Sequence, residues 1–311
     1  MKSSKFPSEA EIVIVGVGGI VGSMLAYWLT ELGQKNIVGL EKSTVIPSDI
    51  ASTAHASDFV YNTTHDKLGN WSTAFSRKFY EDNGFFLKKG GLEICRKDDD
   101  ARWEELKRKV ESGKSFGTNV RLISAAEAKE KFPLLEEESI RGAMWDPDAG
   151  LVIPRSQDVV NFAVENAKEK GSLTTYTDSP ATGFEIQNGR ITGVKTDKGT
   201  IKTDKVVIAS GIWGPLLGDM VGVPVPLAPV EHPLLFFGPL PEAQGAEDFL
   251  VYPLLRDQGN SAYVRDTGRL HGGMLEWGYY EDKEPRLVDP EDIGNPEKTM
   301  TSDSMRHLSL E

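Results

Sequence analysis

The stretch Ile12-Val13-Ile14-Val15-Gly16-Val17-Gly18-Gly19-Ile20-Val21-Gly22 decides the fold. Ile12 to Val17 is a continuous apolar run, which suits a parallel strand buried on both faces. Glycines follow at once, and Ser23 to Leu32 reads as a helix. Glycines placed between a strand and a helix let backbone N–H groups approach a pyrophosphate at the helix N-terminus. The second strand, Asn36 to Leu40, ends in Glu41, a carboxylate at about the 20-residue distance at which it accepts ribose hydroxyls. The G-x-G-x-x-G fingerprint fits imperfectly. Counting from Gly16 and Gly18 puts Val21 third, whereas ending on Gly22 puts Val17 first, so the spacing predicts an extra residue in the turn. An ordinary glycine turn is the alternative, and the strand, helix and acidic terminus together favour a dinucleotide.

Bulk properties set limits. A chain of 311 residues exceeds one typical core and predicts two lobes. The net charge of -12, spread along the chain, argues against nucleic acid and against an anionic membrane surface. A single cysteine, Cys95, leaves no internal disulfide framework and suits a reducing compartment. No apolar run is long enough to span a bilayer, and Met1 to Glu11 is too polar for a secretion signal. The expected location is the cytoplasm, with the mitochondrial matrix as the alternative if a presequence was removed.

Further along, Ser43 to Ser57 is expected to be an extended loop containing Ser52-Thr53-Ala54-His55-Ala56. Asp66 to Asp82 reads as a helix with Leu68, Trp71, Phe75 and Phe79 on one face. Phe85 to Leu87 and Gly91 to Arg96 read as strands, and Asp99 to Glu111 as a charged surface helix. Ser124-Ala-Ala-Glu127 is a capping box whose short helix Pro133 closes. Met144 to Pro154 is expected to return the chain to the nucleotide lobe. Ser156 then caps a helix with a Val159, Val160, Ala163, Val164, Ala167 stripe, ended by Gly171. Asn188-Gly189 marks a hairpin. Val206 to Ser210 reads as a buried strand running into Gly211-Ile212-Trp213-Gly214, a second glycine turn of the kind that binds ligands at the carboxyl end of a parallel strand.

Two glycine turns converging on one long ligand point to FAD rather than NAD. Together with Ser52 to Ala56, Gly90-Gly91-Leu92-Glu93, Asp148 to Pro154, Gly193 to Gly199 and Tyr263-Val264-Arg265, they resemble the D-amino-acid-oxidase-like flavoproteins. The nearest resemblance is to the branch holding dimethylglycine oxidase, dimethylglycine dehydrogenase and sarcosine dehydrogenase. The resemblance implies an α/β fold, with a Rossmann-like FAD lobe of the glutathione-reductase type and a mixed-sheet substrate lobe. Gly16, Gly18, Gly19 and Gly22 would cradle the pyrophosphate, and Glu41 would take the ribose. Lys42, Ser52, Thr53, Ala181, Gly211 and Trp213 would complete the cofactor contacts, with core packing as the alternative for Trp213. In that branch the histidine of the Ser-Thr-x-His-Ala loop is bonded to the flavin 8α-methyl carbon, and its match here is His55. The ring system is therefore expected to abut His55, with FAD extended between the turns at Gly16 and Gly211. Asp58 stands where the family usually has a glycine.

In the substrate lobe, the strands Pro224 to Phe237 and Ser261 to Arg265 carry His232 and Tyr263, at positions where the resemblance implies pocket residues over the flavin. A satisfied core histidine and a strand aromatic are the plainer alternatives. Hydride leaves an N-methyl carbon only when the nitrogen lone pair is free, so these side chains would hold the amine and take part in its proton balance. Monomeric sarcosine oxidases have an arginine a few residues beyond the loop histidine, where this chain has Phe59, Val60 and Tyr61. Arg256 and Arg265 are further sources of positive charge, with surface or structural roles as the alternative. The implied reaction is oxidation of the C–N bond of an N-methylated glycine, with oxygen or an electron-transfer protein as acceptor.

The expected division is 8–58 with 140–225 for the FAD lobe and 59–139 with 226–311 for the substrate lobe. Pro285 to Met305 is polar and acidic, and Leu308 to Glu311 reads as the first turn of a helix. The family continues beyond this point, so the sequence is expected to be a shortened form. A non-catalytic or partner-dependent fragment is the second expectation.

Overall fold

The computed structural model describes residues 6–62, 66–232, 234–280, 286–289 and 292; the tail from Ile293 to Glu311, with its expected helical turn, lies outside them. The chain divides into two compact units, the first formed by residues 1–56, 155–230 and 287–311 and the second by 57–154 and 231–286.

In the first unit, strands Val206–Ile208, Ile12–Val15, Ile37–Leu40 and Leu173–Tyr176 lie in that order, all parallel. Alternation along the strands sends Ile12, Ile14 and Ile37 to one face, against Ala26 of helix Ile20–Glu31 and Val160, Val164 and Ala167 of helix Ser156–Glu169. Val13, Val15, Val38 and Leu40 face the other way, onto Val194 and Ile201 of an antiparallel three-stranded sheet covering 183–202. With apolar cover on both sides, Ile12–Val15 is buried throughout. The hairpin turns at Asn188 and Gly189, both with positive φ as a two-residue primed turn requires.

Several local expectations change. The first helix begins at Ile20, three residues early, because Gly19 already serves as its N-cap. Arg155, not Ser156, is the N-cap of the 156–169 helix. Val206–Ile208 is only half buried, since it is the edge of its sheet. The Ser43–Ser57 loop is not extended throughout: Ser52–His55 winds into a 3-10 turn.

The second unit is organised by a seven-stranded sheet in the order Leu234–Phe237, Leu275–Tyr279, Ala262–Asp266, Leu254–Asp257, Gly91–Arg96, Ile140–Asp146, Arg121–Ser124. It is mixed: Leu254–Asp257 runs parallel to Gly91–Arg96 and every other pairing is antiparallel. Leu92, Ile94, Ile123, Ala143, Leu255 and Val264 form its core on one face with Ala128 and Phe132. On the other, helix Asp100–Ser115 packs Leu106 and Val110 onto Cys95 and Met144. This pairing corrects the expected boundary at residue 140, because Ile140–Asp146 is hydrogen-bonded between two strands of the second unit. Residues 287–289 and 292 likewise fall in the first unit, not the substrate lobe.

The capping box forms as read, with Ser124 and Glu127 exchanging side-chain to backbone bonds. Helix Lys67–Asp82 also forms, but of its expected apolar face only Phe79 is buried; Leu68, Trp71 and Phe75 are exposed, with Trp71 stacked on Phe75. The Asp100–Ser115 helix is not wholly a surface helix, since Lys109 is buried against Glu93 at 2.6 Å. The expected continuous strand from Pro224 is broken into Val230–Glu231 and Leu234–Phe237, and nothing regular forms over 224–229, where prolines recur.

Candidate cofactor cavity and substrate-side cluster

The glycines of the first turn are required by close approach. Gly16 has φ +95°, and a Cβ there would lie 2.5 Å from the carbonyl oxygen of Ala209. A Cβ on Gly22 would lie 2.2 Å from the Gly16 carbonyl oxygen, so the third glycine of the fingerprint lets the helix ride directly on the turn. Val17 fills the space over Gly39, whose Cβ would strike it at 2.8 Å. The irregular fingerprint is thus explained: Gly16 and Gly22 touch, and Val17 is a packing residue between them.

Gly18 meets Glu41. Its N–H donates to Glu41 Oε2 at 2.9 Å, and the Ser43 N–H donates to Oε1 at 2.9 Å. These bonds fix the buried carboxylate at the end of its strand while leaving each oxygen further lone pairs. At the helix start, the Ile20 N–H donates to Thr53 Oγ1 at 3.1 Å, which ties the following loop to the glycine turn.

These parts enclose a cavity of about 540 Å³. One side is made by Gly16, Gly19, Glu41 and Lys42, with Ser52 and Thr53 at the loop; the other is made by Ala181, Gly211 and Trp213. Gly211 has φ +53°, the left-handed conformation that lets the second turn leave its strand sharply. Gly18 and Gly22 stand behind the wall as its supports. The ammonium of Lys42 lies 4.8 Å from the centre of the Trp213 ring.

Three further polar atoms on this wall lack hydrogen-bond partners although they are buried: Ser48 Oγ, Ser210 Oγ and Trp213 Nε1. Buried polar groups are normally satisfied, so a set of them along one cavity fits a ligand carrying hydroxyls and phosphates. The glycine cradle beside a helix N-terminus fits the same ligand. Neither serine is distinguishable from other loop serines in the sequence; only their shared burial on one wall singles them out.

His55 stands outside the wall of this cavity, and its imidazole is exposed. Within the 3-10 turn Ser52 and Thr53 line the cavity and His55, at its end, does not. Arg155 braces the turn, with Nη2 donating to the carbonyl oxygens of Ala54 at 3.5 Å and Ala56 at 2.9 Å. Asp58, where a glycine was expected, has φ +65°. Aspartate is among the few residues that adopt this conformation readily.

In the second unit, Tyr263 and His232 are brought together through Tyr280, which the sequence did not single out. The Tyr280 ring lies 4.4 Å from that of His232 and 5.7 Å from that of Tyr263, and Phe59 packs on Tyr263 at 5.5 Å. The Tyr263 ring covers Gly278, where a Cβ would sit 1.9 Å from it. Burial pushes the Tyr263 phenol up, so it stays protonated through the neutral range as a hydrogen-bond donor. Arg265 is taken by structure: its guanidinium is buried against Glu276 at 2.5 Å.

Comparison with known proteins agrees with this architecture. The family model described as FAD dependent oxidoreductase matches residues 11–304. Human mitochondrial sarcosine dehydrogenase is 28% identical over 90% of this chain and 30% of its own length. Human mitochondrial dimethylglycine dehydrogenase is 29% identical over 92% of this chain and 32% of its own length. The chain therefore spans about a third of these curated relatives. Among solved structures, L-proline dehydrogenase from P. horikoshii superposes with a TM-score of 0.80 at 29% identity, over 98% of this chain and 76% of that one. No helix among the described residues is long and apolar enough to cross a membrane. With its glycine cradle, its acidic strand end and a family match over nearly its whole length, the chain belongs to the DAO family of FAD-dependent oxidoreductases.

Proposed function

We propose that this protein oxidises the C–N bond of an N-methylated glycine, a secondary or tertiary amine of the sarcosine or dimethylglycine kind. The observation that carries the reading is the His232–Tyr280–Tyr263 cluster of the second unit, which gathers an imidazole and two phenols. Support also comes from relatives whose names give sarcosine and dimethylglycine as substrates.

The residues have separable duties. Gly19 and the first turn of helix Ile20–Glu31 beyond Ile20 present backbone N–H groups to the pyrophosphate, Gly16, whose own N–H is held by the Leu40 carbonyl, keeps the wall free of a side chain, and Glu41 accepts the ribose hydroxyls. Ser48, Ser210 and Trp213 supply the donors that are unpaired without a ligand. When bound, FAD supplies the two-electron acceptor for hydride leaving the N-methyl carbon. Tyr263 donates a hydrogen bond to the substrate, and the His232 imidazole accepts the proton that the amine must lose before its lone pair can assist. Water then hydrolyses the imine product. The electrons go on to oxygen or to an electron-transfer protein, in the cytoplasm or the mitochondrial matrix. His55 is the proposed point of covalent attachment, on a turn held from both sides by Arg155.

Anaerobic mixing of the FAD-loaded protein with sarcosine, dimethylglycine and L-proline tests the reading. Bleaching of the yellow chromophore by the N-methylated glycines is the expected result. A chromophore that stays oxidised with all of them contradicts it, and a preparation that takes up no flavin favours the non-catalytic fragment. Acid precipitation reads the tether: flavin retained in the pellet of the parent and released from His55→Ala is expected, and flavin released from both removes the covalent bond.

A further inference from the structure

Helix Lys67–Asp82 buries Asn70 and Phe79 and turns its other side to solvent. On that side Lys67, Trp71, Ala74, Phe75, Lys78 and Asp82 follow one another at steps of three and four residues, and all six are exposed. Residues so spaced share one face of a helix. Trp71 is 61% exposed and Phe75 49%, and the two rings stack at 5.6 Å. Large aromatic side chains held in solvent on one face mark an association surface.

The order of charge along this face fixes what covers it, because the face is complementary to itself. Lys67 at one end answers Asp82 at the other, Trp71 answers Lys78, and Ala74 and Phe75 meet at the centre. Two copies of the helix laid antiparallel, about a two-fold axis between Ala74 and Phe75, bring each residue opposite its complement. Each Lys67 ammonium then faces Asp82 of the partner subunit, and each Trp71 ring lies under Lys78 of the partner subunit as a cation–π pair. Each Phe75 ring covers Ala74 of the partner subunit, a side chain small enough to admit it. Parallel alignment would instead oppose Lys67 to Lys67, Lys78 to Lys78 and Asp82 to Asp82, and like charges repel. The pair already made within the helix is no obstacle. Lys78 Nζ lies 2.9 Å from both oxygens of Asp82, but the two side chains are well exposed, so the bond contributes little on its own.

We infer that this protein pairs with a second copy of itself through the exposed face of helix Lys67–Asp82, the two helices antiparallel about a two-fold axis. The pairing is independent of the amine chemistry proposed above. A helix of 16 residues is about 24 Å long. One such pair covers less than the roughly 800 Å² per partner of a standard interface, so the dimer is weak and reversible.

Sedimentation of the whole chain, from low micromolar to near-millimolar concentration, is expected to show its mass rise from that of one chain to that of two. Trp71→Gln, a change at an exposed position, weakens the dimer about 30-fold, as when one aromatic anchor is lost. Lys67→Glu sets like charges against Asp82 of the partner subunit twice per dimer and weakens it about tenfold; adding Asp82→Lys to the same chain recovers most of that loss. Both charge changes follow the helix dipole, so the helix content seen by circular dichroism stays that of the parent. A parent that keeps the mass of one chain at every concentration overturns the inference and leaves the face to a different partner. A dimer that Trp71→Gln leaves unchanged overturns it as well, since another surface then joins the copies. A dimer weakened by Trp71→Gln and by Lys67→Glu, with no recovery in the double charge variant, overturns the antiparallel alignment.

Discussion

In the second unit Glu93 and Arg265 are each about 1% exposed and lie against an opposite charge, at 2.6 Å from Lys109 and 2.5 Å from Glu276, whereas along the cavity of the first unit Ser48, Ser210 and Trp213 keep buried polar atoms with no partner. The second unit has unmatched buried atoms too, among them those on Ser57, Asn62, Arg77, Arg102, Thr118, Arg265 and Glu276, but none of these residues lines the cavity that Ser48, Ser210 and Trp213 share. The difference teaches how to separate structure from site. Burial of a charge says little when its partner is built in; burial of several donors along one wall, without partners, describes the shape of something that binds. Arg256 differs from Arg265 both in lacking a carboxylate partner among the described residues and in being only half buried.

The strongest way to break the contrast is to destroy the frame of the cavity. Gly22→Val places a side chain where even a Cβ would stand 2.2 Å from the Gly16 carbonyl. The helix must lift from the turn, and a loss of at least about 4 kcal/mol in denaturant unfolding is expected, in the range reserved for broken packing. Next comes the paired charge. Lys109→Met leaves Glu93 buried alone and costs about 3–5 kcal/mol, while adding Glu93→Leu recovers most of it. A single variant as stable as the parent would mean that water reaches Glu93.

Smaller effects sharpen the other side of the comparison. Trp213→Phe removes an unpaired donor, so the unfolding midpoint without ligand stays within the small range of neutral changes while FAD affinity falls about tenfold, as for one lost hydrogen bond. A stability loss without change in affinity would make Trp213 a packing residue. Smallest of all, Trp71→Gln on the exposed face of helix Lys67–Asp82 should move stability by less than about 0.5 kcal/mol.

Much of this was legible in the sequence because local chemistry set it. The Ile12–Val15 run has apolar residues on both sides, so its burial required no knowledge of partners, and the Ser124–Glu127 capping box and Asn188-Gly189 turn are self-contained. What could not be read depended on distant residues. The side to which Ile140–Asp146 belongs is decided by hydrogen bonds to strands at 91–96 and 121–124. Whether the Leu68, Trp71, Phe75 stripe finds cover is likewise a tertiary fact, and here it does not. The glycine fingerprint failed its template by one residue because Val17 packs over Gly39, a contact invisible to spacing alone. At the site, glycines and Glu41 were visible as a motif, while Ser48, Ser210 and Tyr280 acquire meaning only from their neighbours. The 3-10 turn at Ser52–His55 was equally out of reach, since Ser52 to Ala56 holds no proline or glycine to announce it.

The measurement that bears most directly on the whole account is a fluorescence titration of FAD into the flavin-free protein and into Ser52→Trp, a substitution at an exposed loop residue that projects bulk into the cavity without disturbing a core. One FAD per chain with the parent, and at least tenfold weaker binding by the variant, is the predicted result. No uptake of FAD by the parent contradicts it, and equal affinity in both proteins places the flavin somewhere other than between the turns at Gly16 and Gly211.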